Sequence, residues 1–472
     1  MIEVLHPDLC VIGGGAGGLA LASGAAQLGA SVVLVERDRL GGDCLFSGCV
    51  PSKALLAAAR RAQQMREAGA FGIRAVEPDI DFAAVMEGVR TVIGAIAAHD
   101  SPERFERLGV RVLFANARFV NPREVRAGRW RIRARRFVIA TGSRPALPAI
   151  PGLEDLPHFT TDTIFAIRER PGHLLVLGAG AVGCELAQAF RRLGTRVTLL
   201  DEATMLARED ELLVEHLRRA FREEGIVVRE RAVVRRVEPG PTLVLTVPDS
   251  GEERVSGTHL LLATGRRPAI EDLDLEAAGI RYSAAGIAVD PRLRTSNPRV
   301  YAIGDCTGGP QFSHLAAWQA AAVARSILFR WPARGRPRAL PRVLYTDPEL
   351  AAVGFGYEEA KAAGIDAQLL DGSLADTDRA RCERYEDGRI RVVLDRRGRI
   401  LGCAILAPCA GELIVPWVLA IERKLPLSAL ARTIVPYPTF SEITKRAAAS
   451  FFAPKLFSAT TRRIVRLLGC LG

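Results

Sequence analysis

Leu9-Cys10-Val11-Ile12 runs directly into Gly13-Gly14-Gly15-Ala16-Gly17-Gly18, and His173-Leu174-Leu175-Val176-Leu177 into Gly178-Ala179-Gly180-Ala181-Val182-Gly183. Each reads as a strand, a glycine turn and a helix. The helices span Leu19 to Gln27, closed by Gly29, and Cys184 to Leu193, closed by Gly194. A further strand follows in each, Ser31 to Val35 and Arg196 to Leu200, and each leads into an acid, Glu36 or Asp201. That acid stands near the spacing of a ribose-binding carboxylate. One G-x-G-x-x-G is a weak signal, because a tight turn made for helix packing has the same letters. Two framed copies are a strong one. Glycine is required at Gly13, Gly15 and Gly18, and at Gly178, Gly180 and Gly183, for three reasons: positive φ in the turn, close backbone approach to a pyrophosphate, and packing of helix on strand. The helix amino terminus then holds the phosphate charge. Two complete βαβ units imply two dinucleotide sites.

Outward from these turns, two apolar strands end alike, at Ala140-Thr141-Gly142 and Ala263-Thr264-Gly265, each followed closely by Arg-Pro, as returns between domains. Arg299 to Asp305 reads as a buried strand that delivers the Asp305 carboxylate at its carboxyl end, where doubly wound sheets bind ligands; a helix cap is the plainer reading. From residue 336 the pattern changes to a third domain without a glycine fingerprint. The boundaries expected are 1–150, completed by 281–335, then 151–280, 336–455 and a basic tail over 456–472.

The composition bounds the function. The chain has 472 residues, 49% hydrophobic and 25% charged, which fits about three globular domains and excludes a stapled mini-protein or a disordered chain. No uninterrupted apolar run reaches the ~18 to 20 residues of a membrane span, and no signal peptide is read, so a cytosolic location is expected. The net charge of +11 rests on arginine, with only five lysines, and no aromatic-interleaved basic patch accompanies it; no nucleic-acid partner is expected.

The chemistry gathers in Gly41-Gly42-Asp43-Cys44-Leu45-Phe46-Ser47-Gly48-Cys49-Val50-Pro51-Ser52-Lys53. Pro51 suits a first helical turn, which puts Cys49 at a helix amino terminus, where a thiolate is favoured. Cys44 comes within disulfide reach if the turn at Gly48 is distorted. Such a pair cycles between dithiol and disulfide. The rival readings are inert thiols or zinc ligands, and zinc lacks a second ligand pair, so no metal site is expected. Lys53, a lysine in an arginine-rich chain, suggests a compact ammonium with Glu185 as partner.

In this order, the two fingerprints, the Gly41–Lys53 motif, the Ala-Thr-Gly returns and Tyr301-Ala302-Ile303-Gly304-Asp305 resemble the flavin-dependent pyridine nucleotide-disulfide oxidoreductases over about residues 8 to 450. The resemblance implies an α/β fold: two Rossmann-like dinucleotide-binding domains, for FAD and NAD(P), and an α+β carboxyl-terminal dimerisation domain making a homodimer. Gly13, Gly15, Gly18, Glu36, Lys53, Thr141, Gly142 and Asp305 would serve FAD. Gly178, Gly180, Gly183, Asp201 and Gly265 would serve NAD(P)H, with NADH favoured because Asp201 repels an extra phosphate. Cys49 would face the flavin, Cys44 would exchange with the acceptor, and Lys53 with Glu185 would form the ion pair beside the flavin.

One departure sets the branch. Disulfide-reducing members resemble one another at a His-Pro-Thr-x-x-Glu motif; here the stretch is Tyr437-Pro438-Thr439-Phe440-Ser441-Glu442, and the last histidine of the chain is His314. A tyrosine with pKa near ~10 is a poor base at neutral pH. Tyrosine at this place resembles mercuric reductase, yet the chain ends with a single cysteine, Cys470, where that branch has a vicinal pair. The expected acceptor is a small-molecule disulfide, a metal ion or a quinone. Tyr437 and Glu442 join Cys44, Cys49, Lys53 and Glu185 in the expected catalytic set. The alternatives are a dihydrolipoamide dehydrogenase-type enzyme and a redox-inactive flavoprotein subunit. The tail alternates arginine with apolar residues; packing on its own dimer is preferred over membrane-surface contact.

Overall fold

Residues 3–247, 251–332, 334–385 and 387–470 are described by the computed structural model; Leu471 and Gly472 of the tail lie outside them. The chain divides into two units. One comprises Met1–Ala62, Asp79–Glu202 and Arg229–Arg336, the other Gln63–Pro78, Ala203–Val228 and Pro337–Gly472.

In chain order the first unit lays down β1 (Leu9–Ile12), α1 (Ala16–Gln27), β2 (Val32–Glu36), α2 (Gly42–Phe46), the start of α3 (Cys49–Glu67), α4 (Phe82–Ala97), β3 (Val110–Phe114) and β4 (Arg136–Ile139). It continues with β5 (His173–Leu177), α5 (Ala181–Arg192), β6 (Arg196–Leu200), β7 (His259–Leu262), β8 (Val300–Ala302) and α6 (Ser313–Leu328). Strands β8–β4–β1–β2–β3 form one parallel sheet, and β6–β5–β7 run parallel in a second. All of β1 and nearly all of β4 and β5 are buried, which is why they are continuous apolar runs rather than alternating ones.

Both βαβ helices begin three residues before the apolar pattern places them. Gly15 and Gly180 are their N-caps, in extended conformation, so the glycine turn itself becomes the first helical turn. The two Arg-Pro returns pair with each other: Ser143–Pro145 lies antiparallel to Arg266–Pro268. One helical stretch, Phe82–Arg107, is by length and composition apolar enough to cross a membrane. A search for unbroken apolar runs passes over it because Glu87 and Arg90 interrupt the run. Its Phe82, Met86 and Val89 are buried within the protein.

The second unit holds an antiparallel sheet of β9 (Pro341–Leu344), β10 (Glu349–Gly354), β11 (Ala367–Ser373), β12 (Arg389–Asp395) and β13 (Ile400–Ala407), in the order β9–β10–β13–β12–β11. Trp417 is fully buried against it and donates its indole N–H to Thr444. Helix α7 (Asp378–Cys382) follows β11 in the chain, α8 (Glu442–Ser450) packs against β11 and β12, and α9 (Ala459–Gly469) has no buried residue.

Candidate active site

The glycine turns are built twice with the same geometry. Gly13 and Gly178 have φ of 107° and 108°. A Cβ on either would stand 2.4 Å from a backbone oxygen, that of Ala140 or Ala263, and a Cβ on Gly18 or Gly183 would stand 1.8 Å from the oxygen of Gly13 or Gly178. The polypeptide itself therefore demands these four glycines. Gly15 and Gly180 differ: both have ordinary φ, the nearest atom to a Cβ on Gly15 is 3.9 Å away, and nothing lies within 4 Å of one on Gly180. Nor does either N-cap offer a side-chain hydrogen bond to the helix amides. A bare backbone facing open space, backed by uncapped amides, fits an anionic ligand approaching from outside. Behind each turn, 22 residues on, a carboxylate accepts a backbone N–H at 2.6 Å: Glu36 from Gly14, Asp201 from Ala179.

Asp305, in the turn after β8, accepts a hydrogen bond from the Ser143 hydroxyl at 2.6 Å. Arg266 donates to that hydroxyl at 2.7 Å and to the Ser143 carbonyl at 3.0 Å, and its guanidinium pairs with Asp43 beside Cys44. The chain Asp43–Arg266–Ser143–Asp305 thus ties the cysteine turn to the carboxylate through the paired returns. Burial, with the nearby charges of Asp162 and Asp305, pushes the Asp43 carboxyl up, and Arg266 opposes it. Gln319 fixes the turn before Asp305 by accepting the Gly304 N–H at 2.7 Å. Thr141, Gly142 and Gly265 lie at the ends of β4 and β7, with φ of 69° and 109° at the two glycines.

Cys49 is the first residue of α3 and Cys44 sits on the short α2. Both are free thiols, Cys49 exposed and Cys44 half-buried. They are hydrogen-bonded to each other and divide the work. The bond from Cys44, then the Lys53 ammonium and the Ser313 hydroxyl, lower the Cys49 pKa to about 6, against burial and the Glu185 charge. The same bond and burial push the Cys44 thiol far up. At neutral pH Cys49 is the thiolate and Cys44 keeps its proton. Lys53 Nζ meets Glu185 Oε2 at 2.7 Å, with Glu185 on α5 buried and the lysine one-third exposed. Removing either partner strands a poorly solvated charge, at a cost of up to ~3 kcal/mol.

In the second unit the Tyr437 hydroxyl donates to Asp378 Oδ2 at 2.8 Å, and this bond together with the carboxylate's charge raises the phenol pKa. Glu442 begins α8, and its Oε2 is buried without a hydrogen-bond partner among the described residues. The tyrosine's partner is thus Asp378, which sequence reasoning missed, as it missed Ser143, Arg266 and Ser313. The Arg-Pro after each Ala-Thr-Gly, Arg144-Pro145 and Arg267-Pro268, was the nearest signal, and it stands one residue past Ser143 and Arg266.

Residues 7–320 match the family model described as pyridine nucleotide-disulphide oxidoreductase, and residues 340–448 match the dimerisation domain of the same family. The chain belongs to the pyridine nucleotide-disulphide oxidoreductases. A mercuric reductase of Streptomyces lividans is 39% identical over 94% of this chain and 96% of its own. Among solved structures, the HOCl-induced flavoprotein disulfide reductase RclA of Escherichia coli superposes with a TM-score of 0.84 at 27% identity, covering 94% of this chain and 99% of that one. Its Cu(II) complex superposes with 0.83 at 26% identity and the same coverage. The chain is accordingly a mercuric-reductase-like oxidoreductase and a homodimer, with the family's cofactors, FAD and NAD(P)H. The uncapped turns and the bare faces of Gly15 and Gly180 fit those two dinucleotides.

Proposed function

We propose that the chain carries reducing equivalents from NAD(P)H through its Cys44–Cys49 pair to a small acceptor, with a metal ion or a quinone ahead of a dithiol-linked disulfide. When bound, FAD supplies the two-electron relay between nicotinamide and thiols. The first fingerprint, Glu36 and Asp305 hold the flavin dinucleotide, and the second fingerprint with Asp201 holds the nicotinamide one. Glu185 keeps the Lys53 ammonium in place, and that charge steadies Cys49 as thiolate while Cys44 retains the exchangeable proton.

The observation that carries the choice of acceptor is Tyr437. Disulfide exchange needs a group that gives and takes a proton at neutral pH, worth ~100- to 10,000-fold in rate. A phenol is protonated at neutral pH, and the hydrogen bond and charge of Asp378 raise Tyr437 further, so it cycles protons slowly. The name of the Streptomyces lividans relative and the Cu(II) complex of RclA support a metal ion. Asp201 favours NADH. The enzyme is assigned to the cytoplasm, with α9 on the surface of its own dimer rather than on a membrane.

The test is NADH and NADPH oxidation by the purified holoenzyme with lipoamide, glutathione disulfide, mercuric and cupric ions and quinones. Metal-ion or quinone turnover at least ~10-fold above disulfide turnover is expected, and Tyr437→His should raise the latter. Fast lipoamide turnover unchanged by Tyr437→Phe sinks the reading in favour of a dihydrolipoamide dehydrogenase-type enzyme.

A further inference from the structure

Cys49 is met by a second helix. Its Sγ lies 3.9 Å from the hydroxyl of Ser313, 264 residues on, and Ser313 is the first residue of the 16-residue α6. Two helix amino termini, those of α3 and α6, therefore converge on one sulfur. The N-cap of α6, Phe312, makes no side-chain cap hydrogen bond. A thiolate has no proton to give, so in that state the hydroxyl can only be the donor. The groups facing Cys49 are Cys44 from α2, Lys53 from its own helix, Glu185 from α5 and Ser313 from α6. The imidazole of the neighbouring His314 stacks on Phe312, ring centroids 5.1 Å apart.

We propose that Ser313 is a further catalytic residue: its hydroxyl donates a hydrogen bond to the Cys49 sulfur and holds it as the thiolate of the reduced enzyme. The inference rests on the thiol chemistry proposed above. Reduction breaks the Cys44–Cys49 bond with two electrons from NAD(P)H and one proton. The proton ends on Cys44, and the charge is left on Cys49. In a chain with no histidine after His314, a fixed hydroxyl provides part of the stabilisation that an imidazolium gives elsewhere. Ser313 also lowers the Cys44 thiol, against the larger effects of Cys49 and burial, so it addresses both sulfurs.

The experiment is an anaerobic pH titration, from about pH 5 to about pH 9, of the long-wavelength thiolate–flavin absorbance of the holoenzyme reduced by one equivalent of NADH. Wild type should show the band with a midpoint of about 6. Ser313→Ala should move the midpoint upward by about one pH unit, and Ser313→Thr should return it. The pH dependence of Cys49 alkylation in the reduced protein gives the same midpoints without relying on the flavin. A wild-type band whose midpoint Ser313→Ala leaves in place overturns the role of Ser313 alone. Absence of the band in wild type, with no low-pH alkylation, overturns the thiolate reading on which it rests.

Discussion

The two glycine turns are near-copies, and their difference lies in what stands behind them. In the first, Glu36 spans three backbone amides, accepting from Gly14, Arg37 and Asp38 at 2.6, 2.7 and 2.9 Å, and so stitches the turn to the end of β2. In the second, Asp201, one methylene shorter, accepts from Ala179 at the matching place. The first and third glycines of each turn answer to the protein's own backbone, while the middle glycine faces open space, where we propose that the ligand approaches. One motif therefore carries two separable demands, fold and binding.

The largest effect should come from the third glycines. Gly18→Ala and Gly183→Ala each drive a methyl into a carbonyl oxygen 1.8 Å away, so the backbone must move. A loss of at least about 3 kcal/mol of stability is expected by denaturant unfolding. Near-wild-type stability would break the claim that packing requires them. Next come Gly15→Ala and Gly180→Ala, whose Cβ atoms meet open space. Unfolding midpoints should stay put while each site loses ~10- to 100-fold in affinity. Gly15→Ala should purify with reduced flavin, and Gly180→Ala with full flavin and a raised KM for the nicotinamide. If both variants lose the same cofactor, the two turns are not assigned to separate sites. The smallest effect tests the acids: Asp201→Ala should shift the ratio of kcat/KM for NADH over NADPH by about 10-fold toward NADPH, through loss of the ribose contact and of the charge that repels the phosphate. An unchanged ratio overturns the preference read from that carboxylate.

The thiol centre and the Tyr437 site make a similar contrast. Around Cys49 the surroundings stabilise charge, and the thiol is brought down to about 6. Around Tyr437 an anionic partner stabilises the protonated form and drives the phenol up. One centre titrates near neutrality and the other does not, which is why the missing histidine matters more than the change of a single letter suggests.

What the sequence determined by itself is local. The strand–turn–helix units, the acids 22 residues behind their turns and the Cys44–Cys49 motif at a helix start all follow from hydrophobic runs, glycine φ preferences and helix-end electrostatics within one supersecondary unit. Lys53 with Glu185 was legible across 132 residues because a lysine is rare in this chain and the family resemblance implies the pair. What the tertiary structure decided are the partners with no periodic signal: Arg266 to Asp43 across 223 residues, Ser313 to Cys49 across 264, and Asp378 to Tyr437 across 59. Serine, arginine and aspartate are common on any surface. A hydrogen bond selects one of them by placing two atoms within a few ångströms, and that placement is fixed by how sheets and helices pack, not by the residues' spacing along the chain.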